Sequence, residues 1–249
     1  MPAQMSTVVF QIDSSGKTRY NEKQTEKRSV SSMKYRTILF DLDGTLLDTL
    51  DDMTDAVNRT LTRYGLPCRS RTEVRDFVGN GAQRLMELAS GGAKPETFGA
   101  MLADYKADYA ANCRVRTAPY PGVTELLKTL AARSYQLGIV SNKPDDAVKA
   151  LHRDFFPDSV TVAVGERAGM RRKPAPDTLL AAMRQLGADA GSTVYVGDSD
   201  VDIETARNAG IPCISVAWGF RDRDVLLAHG ADCIAADCSA LLALLEAAD

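Results

Sequence analysis

Long apolar runs are missing from this 249-residue chain. None approaches the roughly 18 residues that a membrane-spanning helix needs, and no signal-peptide core is present. A dominant charge is missing too: 30 Lys and Arg against 33 Asp and Glu leave a net charge of −3. That balance offers no electrostatic case for nucleic acid as a partner. Cysteine pairing is scarce, with five cysteines, an odd count, and no CxxC spacing. Cys233 and Cys238 are close enough in sequence to pair, but free thiols in a reducing compartment fit the pattern better, so a cytoplasmic protein is expected.

Apolar residues themselves are plentiful. At 45% hydrophobic, the chain can build one large domain, or one core with an inserted lobe. Residues 1–32 are the exception. Their stretch SSGKTRYNEKQTEKRSVSS can bury too little surface to offset its ordering entropy, so 1–32 reads as a flexible extension. Val8, Phe10 and Ile12 alternate there and could add one short strand, and Met33 is a candidate start.

Organisation begins at TILFDLDGTLLDT, residues 37–49. A β-prone apolar run ends abruptly in Asp41, with Asp43 two positions on and Gly44-Thr45 following. Such a run reads as a buried strand that delivers carboxylates to its C-terminal end, where open α/β sheets bind ligands. Asp-Gly is also a common hairpin turn, but no second alternating strand follows. Instead Leu47, Leu50, Met53, Val57 and Leu61 recur at helical spacing, with Thr49 and Asp52 placed like a capping box and Gly65 as a C-cap. Further helices are expected over 72–78, 82–89 and 95–112. No strand candidate interrupts 48–117, which reads as a helical insertion.

Alternation resumes after Pro119-Tyr120-Pro121-Gly122. Strands over 136–140, 160–164, 193–196 and 213–217 are separated by helices over 123–132, 145–153, 178–186 and 201–208. Short elements near Val225 and Cys233 precede a last helix over 240–247. Repeated strand–helix pairs predict an α/β fold, a Rossmann-like parallel sheet with helices on both faces.

Three later segments repeat the pattern of polar groups at strand or loop ends. GIVSNKP stops at Ser141 and Asn142, where a hydroxyl and helix-start N–H groups suit a phosphate oxygen or simply cap a helix. RRKPAPD sets Lys173 between basic neighbours and two prolines, with Asp177 able to cap the next helix. VYVGDSDVD ends a buried run at Asp198, while Ser199 and Asp202 form a further capping-box pattern. Brought together, Asp41, Asp43, Asp198 and Asp202 would repel by about 4 kcal/mol per pair at about 4 Å and an effective dielectric near 20, which implies a cation. All-oxygen ligation favours Mg²⁺.

In this order and spacing the four segments resemble the motifs of the haloacid dehalogenase superfamily, from about Tyr35 to the C-terminus. The resemblance implies a core of residues 33–47 and 118–249 and a substrate-choosing helical cap over 48–117. It also implies a phosphatase that attacks phosphorus with Asp41 to form an aspartyl phosphate, Asp43 serving as acid and then base. Lys173, Ser141 and Asn142, with the backbone of Leu42, Gly44 and Thr45, are the implied phosphate ligands. Asp41, the Asp43 carbonyl and Asp198 are the implied Mg²⁺ ligands, with Asp202 acting through water. In the cap, Gly79, Asn80 and Gly81 open a helix whose N–H groups could receive a small carboxylate, with Arg84 and Lys143 nearby.

Relatives that remove halogens lack the second aspartate, so Asp43 speaks against that reaction, whereas a sugar phosphomutase would retain it and stands as the alternative. A non-catalytic binder of phosphorylated ligands would lack the nucleophile, the acid or the lysine, and none is missing. LDDM, FVGNGAQRLM and the Trp218-Gly219-Phe220 turn are most similar to the phosphoglycolate phosphatase group within the superfamily. The implied partner is a small phosphorylated metabolite, with neither nucleic acid nor membrane; monomer and homodimer both stay open.

Overall fold

A computed structural model describes residues 9–12, 18–21, 34–92 and 94–247. The chain divides into two units, Met1–Met33 and Lys34–Asp249. In the first, strands β1 (Val9–Ile12) and β2 (Thr18–Asn21) pair as an antiparallel hairpin, where the sequence suggested a single strand. The flexible extension expected over 1–32 otherwise lies outside the described residues.

The second unit opens with β3 (Thr37–Phe40) and β4 (Leu47–Asp48), followed by four helices: α1 (Leu50–Arg63), α2 (Arg71–Phe77), α3 (Gly81–Ala89) and α4 (Pro95–Asn112). After β5 (Ala118–Pro119) come α5 (Val123–Ala132), β6 (Gln136–Pro144), α6 (Asp145–Phe155), β7 (Val162–Glu166) and α7 (Asp177–Leu186). The chain ends with β8 (Thr193–Gly197), α8 (Asp200–Ala209), β9 (Cys213–Val216), α9 (Arg223–Ala228), β10 (Ile234–Ala235) and α10 (Cys238–Glu246).

Six strands form one sheet in the order β10-β9-β8-β3-β6-β7, every pairing parallel. All of β3 and all of β8 are buried, as strands covered on both faces must be, which is why they read as continuous apolar runs. Leu179, Ala182 and Met183 of α7 and Ala206 of α8 pack on Leu39, Val140, Val164 and Tyr195 to make the core of one face. The first strand is central: the chain builds outward through β6 and β7, then returns to lay β8, β9 and β10 on the other side. The winding therefore reverses between β3 and β8, and ligands of open α/β sheets bind at the strand ends beside such a reversal.

Four helices stand between β4 and β5, where the sequence predicts helices over 72–78, 82–89 and 95–112 after the one that follows the first motif. α1 buries Leu50, Met53, Val57 and Leu61, while α4 buries Met101, Tyr105 and Tyr109, the two tyrosine rings stacked with centroids 5.9 Å apart. Two details differ. β4 and β5 zip the insertion's entry and exit together through Leu47↔Pro119 and Asp48↔Ala118. The capping box of Thr49 and Asp52 does not form, because both side chains have longer-range partners. Thr49 Oγ1 donates to Asp43 Oδ1 at 2.8 Å, and Asp52 accepts from Arg116 N, Thr117 N and Thr117 Oγ1. The cap expected of Asp177 is likewise replaced by an ion pair with Arg171 at 2.7 Å. All five cysteines are free, Cys233 and Cys238 included. Among the described residues no helix is long and apolar enough to cross a membrane.

Candidate active site

Asp41 follows β3 directly, its backbone N–H still donating to Val196 O of β8 at 2.8 Å. Its carboxyl is buried, and Oδ1 lies 2.8 Å from Lys173 Nζ without completing an aligned hydrogen bond. Lys173 is buried as well, and its ammonium donates to Asp202 Oδ1 at 2.7 Å and to the Tyr195 hydroxyl at 3.0 Å. Burial alone would push this lysine down, but the charges of Asp202 and Asp41 outweigh it and hold the ammonium above its ordinary pKa. The Tyr195 hydroxyl in turn donates to Asp202 Oδ1 at 3.0 Å. The sequence offered no signal for that tyrosine beyond its place in a buried strand.

Asp198 directly follows β8 on the other side of the reversal. Its Oδ2 accepts from Phe220 N at 2.6 Å and its Oδ1 from Thr45 Oγ1 at 3.1 Å. Trp218 Nε1 donates to Thr45 O at 3.0 Å, fastening the Trp218-Gly219-Phe220 turn against the loop after β3. Gly44 and Gly219 flank the carboxyl so closely that a Cβ on either would collide with Asp198 Oδ2, and Gly44 also has φ of +88°. Asp202 forms the expected capping box with Ser199, whose N–H and hydroxyl reach its Oδ2 at 3.1 and 2.6 Å.

One oxygen each from Asp41, Asp198 and Asp202 lies within 4.8 Å of the others, all three buried. Burial raises the Asp41 carboxyl well above its ordinary range; Lys173 opposes this while Asp202 and Asp198 add to it. Burial, reinforced by Asp202, likewise pushes Asp198 up to about 7. Carboxylates that resist ionisation in one pocket, an all-oxygen donor set and an Asp41 oxygen with no aligned donor fit a hard divalent cation. Asp202 already has four donors, so Asp41 and Asp198 are the better placed for direct contact. The carboxyl of Asp43 stands outside this trio.

Asp43 instead faces the helical insertion. Thr49 Oγ1 and Lys143 Nζ both contact its Oδ1 at 2.8 Å. Lys143 is buried, donates to the Tyr109 hydroxyl at 2.7 Å, and has its ammonium 4.5 Å from the Tyr109 ring centroid, a cation–π contact. Ser141 is buried beside it, its Oγ accepting from Lys143 N at 3.1 Å. Asn142, expected at the phosphate, has its amide committed elsewhere: Nδ2 donates to Gly79 O and Lys173 O, both at 3.0 Å, and Oδ1 accepts from Lys173 N at 2.7 Å. Its side chain brackets the lysine loop against the helical insertion.

These groups open into one cavity of about 370 Å³, bounded by the strand ends below and by α1, α3 and α4 above. Asp41, Asp43, Ser141, Lys173 and Asp198 line its floor, while Met53, Val78, Leu85, Tyr105 and Tyr109 make apolar walls. Gly79 and Gly81 reach the cavity, but Arg84 does not. It lies one residue before Leu85, about 100° round the helix, and pairs with Glu87 in solvent at 3.3 Å. Two arginines that the sequence left unassigned hold the α2–α3 turn to the sheet. Arg172 Nη1 donates to Asn80 O at 3.2 Å. Arg221 Nη2 donates to Val78 O at 2.7 Å and its Nη1 to Arg75 O at 3.1 Å.

Known proteins resemble this chain in sequence and fold. The family model for haloacid dehalogenase-like hydrolases matches residues 38–216. A phosphoglycolate phosphatase of Rhodospirillum rubrum is 34% identical over 215 residues, which is 83% of this chain and 89% of that protein. An N-acetylmuramic acid 6-phosphate phosphatase of Pseudomonas aeruginosa is also 34% identical, over 81% of this chain and 91% of its own length. Among solved structures, one from Lactobacillus delbrueckii subsp. bulgaricus, provisionally named a phosphoglycolate phosphatase, superposes with a TM-score of 0.81 at 34% identity. It covers 86% of this chain and 99% of its own. With its sheet order, its strand-end carboxylates and these matches agreeing, the chain belongs to the haloacid dehalogenase-like hydrolases.

Proposed function

We propose that the protein is a Mg²⁺-dependent phosphatase that hydrolyses 2-phosphoglycolate to glycolate and phosphate. The observation that carries this reading is the convergence of Asp41, Asp198, Asp202 and Lys173 on the floor of one cavity. The name of the Rhodospirillum relative supports the choice of ester.

Asp41 is the nucleophile. Its carboxylate attacks phosphorus while the P–O bond to the glycolate oxygen breaks, leaving an aspartyl phosphate. Asp43 enters this step protonated and gives its proton to the departing alkoxide. Its Oδ1 is engaged by Thr49 and Lys143, so Oδ2 is the oxygen that can serve. In the second step Asp43 takes a proton from the water that attacks the aspartyl phosphate, releasing phosphate and free Asp41. Lys173, the Ser141 hydroxyl and the N–H groups of Leu42, Gly44 and Thr45 balance charge on the phosphoryl oxygens. Asp41, the Asp43 carbonyl and Asp198 would hold Mg²⁺, with Asp202 acting behind them. When bound, Mg²⁺ supplies the charge neutralisation that lets the carboxylates ionise and a dianionic ester approach. The four helices over 48–117 serve as the cap over this chemistry.

One observation favours a bulkier ester: the cavity is far roomier than a two-carbon acid requires and is largely apolar. Timed phosphate release from a panel holding 2-phosphoglycolate, sugar acid phosphates and hexose phosphates, with Mg²⁺ and with EDTA, tests both readings. Preference for 2-phosphoglycolate with Mg²⁺ is expected; preference for a sugar ester would replace the substrate, and equal rates in EDTA would remove the metal.

A further inference from the structure

Resting on the phosphatase reading above, we propose that Lys143 is the specificity-determining residue and selects phosphates of 2-hydroxycarboxylic acids by pairing with the carboxylate of the leaving group. Four cationic side chains line the cavity: Lys106, Lys143, Lys173 and Arg221. Lys173 is committed to Asp41 and Asp202. Arg221 gives its three guanidinium nitrogens to Asp200 Oδ1, Arg75 O and Val78 O. Lys106 is exposed on α4, and Arg84 points away from the cavity altogether.

Lys143 differs from these in burial and in position. Its side chain is 3% exposed, and two of its three ammonium protons go to Asp43 Oδ1 and the Tyr109 hydroxyl. The third has no acceptor among the described residues and is available to a ligand. Asp43 must come within about 2.7 Å of the ester oxygen to protonate it. In a phosphorylated 2-hydroxy acid the carboxylate is attached to the carbon bearing that oxygen, so it falls within reach of an ammonium already 2.8 Å from Asp43. The Tyr109 ring and the apolar walls offer that third proton no acceptor, so a neutral leaving group would forgo the charge pairing that a carboxylate gains there.

The test uses the full-length enzyme with Mg²⁺ and two matched pairs of esters. One pair is 2-phosphoglycolate and 2-hydroxyethyl phosphate; the other is 2-phospholactate and propane-1,2-diol 2-phosphate. The wild type is expected to favour the acid in each pair by about 100-fold in kcat/KM. Lys143→Met is expected to bring both ratios within about threefold of unity, chiefly through KM for the acids, and Lys143→Arg to restore part of the preference. Any loss common to both members of a pair cancels in the ratio. A preference that survives Lys143→Met, with acid and alcohol falling in step, would overturn the assignment, since the lysine would then only position Asp43. So would a wild type indifferent to the carboxylate in both pairs. If 2-phospholactate is preferred over its alcohol while 2-phosphoglycolate is refused, the glycolate ester fails as substrate and the assignment to Lys143 stands.

Discussion

Around Asp41, five ionisable side chains share a volume from which water is nearly excluded, so each one's state depends on its neighbours. Lys173 compensates two carboxylates at once. Replacing it with methionine leaves both buried and unpaired, and the metal-free protein is expected to lose about 3–5 kcal/mol, measurable by urea unfolding. The Tyr195 hydroxyl sits between Lys173, Asp202 and Val140 O. Tyr195→Phe is expected to cost about 1–3 kcal/mol and to lower kcat more than it raises KM, since it disturbs the lysine that balances charge in the transition state. Asp41→Asn should behave oppositely in the two assays. Phosphate release should fall at least ~10³-fold, while the metal-free variant at pH 8 should melt no lower than the wild type, because a carboxyl that burial disfavours has been made neutral. Asp41 and Asp198 were legible because each follows a buried apolar run, Asp202 because it closes a capping box, and Lys173 because two prolines mark its loop. Tyr195 was not, because a tyrosine in a strand is ordinary core and only the fold sets its hydroxyl beside Lys173.

Elements longer than two turns declared themselves through periodicity, and α5 begins and ends where its leucines predict. A ladder as short as β4 with β5 has no period to read, although it fixes where the helical insertion leaves and rejoins the sheet. The clasp on the α2–α3 turn was equally hidden. Asn142, Arg172 and Arg221 come from three separate segments and donate to the carbonyls of Gly79, Asn80, Val78 and Arg75. Arg84 was misread for a related reason: spacing placed it near the helix start, but only packing decides which flank of α3 turns inward. Arg221→Ala is expected to raise KM about tenfold with less than threefold change in kcat, and to speed amide exchange at residues 78–81. Unchanged exchange there would deny that the arginine holds the turn.

For the whole molecule, the parallel sheet brings residues more than 150 positions apart to one reversal of winding, and the acidic floor of the cavity is destabilising until something neutralises it. Asp198 illustrates the sign. Its folded pKa, pushed by burial to about 7, lies above the ordinary aspartate value of 3.8. The metal-free fold therefore binds more protons than the unfolded chain between those values, and it loses stability as pH rises through about 7. If Mg²⁺ binds these carboxylates as proposed it takes the place of those protons, so the rise in Tm on adding Mg²⁺ is expected to be larger at pH 8 than at pH 5.5; an equal rise at both would place the ion elsewhere. On the proposed reading, Asp41 is the carboxylate that takes the phosphoryl group. Rapid-quench single turnover of the full-length enzyme with 2-phosphoglycolate and Mg²⁺, followed by peptide mass mapping, tests that most directly. A phosphoryl group on Asp41 that forms before phosphate is released and decays as it appears is the predicted result; full-rate phosphate release with Asp41 unmodified at every time point would contradict it.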